Sequence, residues 1–194
     1  MKTEKLSAEK SLELITEVIA QARKKFEENG FIFMLWGVLI AIAAIGQFVL
    51  LKNEYYATNW YPYLLMPIGV LYSFNYFSKK ERKSKHNQIS AIVSYAWVFL
   101  SINMLVLGFL FGRILRENLI PVILILLAVG TIISGVSVRS RLLLFSGILI
   151  NLSAFAGFYI PILYQPLLMG IVAIIAVFIP GIILMVQYKK KGNV

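Results

Sequence analysis

Residues 31–51 read FIFMLWGVLIAIAAIGQFVLL, an unbroken apolar run without Asp, Glu, Lys, Arg or His. A helix needs roughly 20 apolar residues, at about 1.5 Å of rise each, to cross about 30 Å of hydrocarbon. Phe31 to Leu51 supplies that length. Working outward, five more such stretches follow: Trp60 to Phe77, Ile89 to Phe111, Leu119 to Val138, Leu142 to Leu163, and Pro166 to Gln187. None contains an ionisable side chain other than tyrosine. With 59% hydrophobic residues, only 14% charged ones and a mean hydropathy of +0.80, the 194-residue chain falls outside the composition of soluble domains. The expected fold is an all-α integral membrane protein with six transmembrane helices arranged as three hairpins.

The net charge of +10 is unevenly distributed. With the N-terminus in the cytoplasm, sixteen of the 19 cations lie inside: those before Phe31, Lys79, Lys80, Arg82, Lys83 and Lys85 in the second link, Arg139 and Arg141 in the fourth, and Lys189 to Lys191 in the tail. Only Lys52, Arg113 and Arg116 remain outside. Short loops obey such a positive-inside bias, so both termini are expected in the cytoplasm. Lys79, Lys80, Arg82, Lys83 and Lys85 form a candidate contact for anionic lipid. A nucleic-acid role is not expected, because no folded domain presents the charge. The first apolar run is too long for a signal-peptide core, and an uncleaved N-terminus is expected.

Residues 1–30 form a separate element ahead of a membrane domain at 31–188 and a basic tail at 189–194. Leu12, Ile15, Ile19, Ala22 and Phe26 recur at spacings of three and four, which places them on one stripe of an amphipathic helix. Asn29-Gly30 is a natural stop before the membrane. The stripe has two readings: a helix lying on the bilayer or on the protein's own loops, or a helix that docks a partner or a second copy. Its mixed charge, unlike the basic face of a lipid-surface helix, favours protein contact.

Within the spans, Pro62, Pro121 and Pro166 stand near the starts of returning helices, where a missing N–H costs little. Pro67 and Pro180-Gly181 are expected to kink or break theirs. Gly108/Gly112, Gly130/Ser134, Thr131/Gly135 and Ser153/Gly157 have the small-xxx-small spacing of close helix packing. The likeness of Trp36–Ile40 to Ser146–Ile150 leaves a duplicated or triplicated hairpin open.

Polar candidates inside the bilayer are Asn103 and Asn151 near the midplane, with Asn75, Gln47 and Ser101. An amide left bare in hydrocarbon is costly, so both asparagines are expected to face the bundle. They serve either helix–helix hydrogen bonding or a polar cavity for an uncharged solute. Tyrosines and tryptophans at the span ends fit interfacial belts. The chain has no Cys and no Asp, and its single histidine, His86, lies in a basic link. Catalytic triads, thiolate chemistry and zinc sites are therefore not expected, and neither is any cofactor or metal.

Running from Ser11-Leu12-Glu13-Leu14-Ile15 through Phe26-Glu27-Glu28-Asn29-Gly30-Phe31 into Leu35-Trp36-Gly37, the sequence resembles a functionally uncharacterised family of small bacterial six-span membrane proteins. These are often encoded beside winged-helix regulators. The resemblance implies a bacterial inner-membrane protein with a regulatory role, and it carries over no functional residue. The expected function is non-enzymatic and regulatory, with a partner bound through the cytoplasmic face. The alternative is a small permease or channel for an uncharged or lipophilic solute.

Overall fold

The structure, a computed structural model, describes residues 8–81 and 88–192. Among these residues all regular structure is helical. Helix α1 (Ala8–Glu28) stops at Asn29, and Gly30 opens α2 (Gly30–Lys52), at the break that Asn29-Gly30 predicts. There follow α3 (Leu65–Glu81), α4 (Gln88–Phe109), the single turn α5 (Gly112–Leu115), α6 (Leu119–Ser137), α7 (Arg141–Gly157), α8 (Gln165–Ala173) and α9 (Ile179–Gly192). A π-helical segment, Ile174–Phe178, joins α8 and α9.

Gly30–Lys52, Gln88–Phe109, Gly112–Ser137 and Gln165–Lys190 are each long and apolar enough to cross a bilayer, so the chain is a multi-pass membrane protein. Two of the six expected spans are shorter. The apolar helix α7 has 17 residues, about 26 Å at 1.5 Å each. Helix α3 also has 17, preceded by a 3₁₀ turn at Tyr61–Leu64 that takes the first part of the apolar run.

The core is built where α2, α6, α7 and the α8–α9 rod meet. Ala44, Leu124, Ala128, Ile150, Ala154, Ala173 and Ala176 are buried together there. Helix α2 runs along the α8–α9 rod, and α6 pairs with α7. In lipid, apolar burial does not drive helices together; close backbone approach does. Small residues permit it. A Cβ on Gly37 would lie 2.7 Å from Phe178 Cβ, one on Gly147 2.5 Å from Ile132 Cγ1, and one on Gly135 2.8 Å from the Leu144 backbone nitrogen. Gly108 has nothing within 4 Å of such a Cβ, so the expected Gly108/Gly112 packing site is unused.

Helices α3 and α4 lie at the edges, α3 against α2 and α4 against α6. Each is fastened by one hydrogen bond of the same design. Trp36 Nε1 donates to Ser73 Oγ at 3.1 Å, and Trp97 Nε1 donates to Ser134 Oγ at 2.9 Å, with 37 residues between partners in both cases. Beside each indole lie a leucine and a glycine: Leu39 and Gly69 in the first hairpin, Leu100 and Gly130 in the second. One constant offset in sequence carries all four positions of the first hairpin onto the second. The structural repeat thus relates hairpins one and two. The likeness between Trp36–Ile40 and Ser146–Ile150 reflects two glycines, Gly37 and Gly147, that face different helices at close crossings.

Pro62 and Pro166 occupy first-turn positions, as expected, and Pro121 is the third residue of α6. Pro67 follows closely on the change from the 3₁₀ turn to α-helix. It is the third residue of α3, where no intrahelical partner for its missing N–H is needed. Pro180 is accommodated differently, by the π segment just before it, which widens the turn that the proline ring would otherwise crowd.

Candidate functional site

Helix α1 is divided along its length. Near its end Ala22 and Glu27 are buried, and the helix packs on α9, α4 and the start of α2. Further out, Leu12 is 65% exposed and Ile15 54%, with Leu14 and Val18 also exposed and Ile19 half-buried. Phe26 lies between the two buried positions in the same helix, its side chain outside what the structure describes. The predicted stripe is thus split: one part rests on the bundle, and Leu12 and Ile15 face away from it. On the polar side, Thr16 Oγ1 donates to the Leu12 carbonyl at 2.8 Å and Gln21 Nε2 to Glu17 Oε1 at 3.0 Å. Both bonds lie within the exposed outer part of α1.

The basic link is only partly visible. Lys79 and Lys80 belong to the last turn of α3, while Arg82, Lys83, Lys85 and His86 lie outside the described residues.

The intramembrane candidates do not converge. Gln47 is half-buried near the end of α2; its Nε2 donates to Asn59 Oδ1 at 3.3 Å, and its Oε1 accepts from the Tyr63 hydroxyl at 2.9 Å. That hydroxyl also approaches Met169 Sδ at 3.6 Å. This small network ties the α2–α3 link and α8 to α2. Asn75 is exposed on α3, Ser101 is half-buried on α4, and Asn151 is half-buried on α7. Asn103 corrects the expectation that it faces the bundle. It is exposed on α4, and its Nδ2 donates to the Phe99 carbonyl one turn back, at 2.8 Å. A side chain satisfied by its own helix needs no partner helix.

The hydroxyls deepest in the bundle behave the same way. Thr131 Oγ1 donates to the Leu127 carbonyl and Ser134 Oγ to the Gly130 carbonyl, both at 2.8 Å. Gln165, 2% exposed, donates to the Ile160 carbonyl at 3.0 Å and braces the turn into α8. Two partners in these networks, Asn59 and Gln165, escaped sequence reasoning because neither falls within an apolar run. The bond between Trp97 and Ser134 also escaped it; their spacing, matched by Trp36 and Ser73, is the signal that would have found it.

No family model, curated protein or solved structure matches the chain.

Proposed function

We propose that this protein is a non-enzymatic regulatory component of a bacterial inner membrane, with six spans and both termini in the cytoplasm, that uses α1 to dock a helical segment of a cytoplasmic partner. The observation that carries the reading is the exposure of Leu12 and Ile15 on a helix whose other end is packed into the bundle. An exposed apolar pair at a/d spacing suits a short helix-on-helix contact. About two heptads are marginal alone, and anchoring one end lowers the ordering cost of the rest. The positive-inside bias supports the orientation. The cations Lys79, Lys80, Arg82, Lys83 and Lys85 suit a contact with anionic lipid.

The alternative, a permease for an uncharged or lipophilic solute, has less support. Asn103 faces outward and is bonded to its own helix, and the polar candidates stand on four different helices.

The test places a photocrosslinking amino acid at position 12 or 15 of the full-length chain in its native membrane. A defined protein adduct that Leu12→Glu or Ile15→Glu abolishes is expected. Crosslinks to lipid alone would sink the proposal, and adducts only between copies of the chain would replace the partner with a homo-oligomer.

A further inference from the structure

A pocket forms where α6 turns into α7. Helix α6 ends in a Schellman pattern: the Arg139 N–H donates to the Val136 carbonyl at 3.2 Å and the Ser140 N–H to the Gly135 carbonyl at 2.9 Å, with Arg139 left-handed at φ 50°. Ser140 then adopts φ −100°, ψ 109°, the extended conformation of a helix N-cap, and its carbonyl accepts from the Leu144 N–H at 3.1 Å. The next helix therefore starts at once.

A serine in this position ordinarily turns its hydroxyl back onto the second or third helical N–H. Ser140 does not. It makes no side-chain cap bond although only 7% of it is exposed, and it lines an open cavity of about 280 Å³ together with Arg139, Arg141, Leu142 and Gln187. The first-turn N–H groups of Arg141, Leu142 and Leu143 precede the first intrahelical donor, Leu144, and lie at the positive end of the α7 dipole. Two arginines, a serine whose hydroxyl makes no cap bond, the start of a helix and Gln187 thus border one space.

We propose that this pocket binds a phosphate group, as a monoester or diester. Arg139 and Arg141 supply charge and forked donors, Ser140 Oγ donates a further hydrogen bond, and the first-turn N–H groups address the remaining oxygens. The volume leaves room for an ester substituent, against which Leu142 forms an apolar wall. The same chemistry is offered by a phospholipid headgroup and by a soluble phosphate ester. The pocket is independent of the outer half of α1.

The experiment uses the full-length protein in maltoside micelles, which carry no phosphate, with phosphatidylglycerol added to the micelles in one arm and inorganic phosphate titrated into the buffer in the other. The thermal midpoint and the lipid retained on mass spectrometry are read for each. Wild-type protein is expected to gain stability in at least one arm, and the responding arm identifies the source. Ser140→Ala is expected to weaken the response about tenfold, as the loss of one hydrogen bond to a charged group implies, without changing the midpoint in maltoside alone. Arg139→Gln with Arg141→Gln should remove it. The pocket is refuted by a wild-type protein that responds in neither arm, by an Ser140→Ala variant that responds like wild type, or by a charge-matched Lys189→Gln, Lys190→Gln variant that loses as much as the arginine pair.

Discussion

The Trp97 indole donates to the Ser134 hydroxyl at 2.9 Å, and the same ring meets Phe33 edge-on at a centroid distance of 6.1 Å. One side chain on α4 therefore touches both α6 and α2. Because Ser134 is fully buried and Ser73 only partly, the two tryptophans are unequal. Trp97→Phe should cost about 1 kcal/mol through the lost hydrogen bond. Trp36→Phe should cost less. Unfolding midpoints of both variants in one detergent give the comparison, and an equal loss would contradict the burial argument.

Gly30 and Gly181 fill each other's missing side-chain space. A Cβ on Gly30 would sit 2.7 Å from the Gly181 carbonyl oxygen, and one on Gly181 2.9 Å from that of Gly30. Backbone cannot yield as a flexible side chain does, so Gly30→Ala or Gly181→Ala should destabilise by about 1–3 kcal/mol. Gly108→Ala, with open space around it, should be neutral or stabilising through helix propensity. Thermal melts of the three variants under one condition check the contrast.

Helix α2 ends in a Schellman pattern, with Glu54 N–H donating to the Leu51 carbonyl at 3.1 Å and Tyr55 N–H to that of Leu50 at 2.9 Å. Glu54 occupies the left-handed position at φ 63°, where glycine is preferred. Glu54→Gly should raise stability by about 1 kcal/mol, the cost that a Cβ incurs in this conformation. Calorimetry on the two proteins measures it.

Asn103 exposes an amide on α4 and satisfies it locally. Asn103→Leu should therefore keep the unfolding midpoint within about 0.5 kcal/mol of wild type, or raise it, as surface changes do. A marked loss of stability would show that the amide has a partner that α4 alone does not provide.

The division between what sequence showed and what it hid follows from lipid as a solvent. Length and charge marked Phe31 to Leu51 and the break at Asn29-Gly30, because crossing hydrocarbon restricts composition along the whole span. Which face of a span meets lipid left little trace, since both faces are apolar; hence the misplacement of Asn103 and the idle Gly108. The setting of Pro67 was hidden for another reason. The apolar run beginning at Trp60 includes a 3₁₀ turn, so the α-helix begins later and the proline falls in its first turn. The stripe on α1 was legible because water on one side makes periodicity matter, but sequence could not say which half of the stripe the bundle covers.

Mechanically, α1 is a cantilever. It is clamped at Ala22 and Glu27 and open at Leu12, about 15 Å away along the helix. A load at that open end reaches Asn29 as a bending moment, multiplied by the length of the arm. The next residue, Gly30, is wedged against the last rod of the bundle and has no slack to absorb the load.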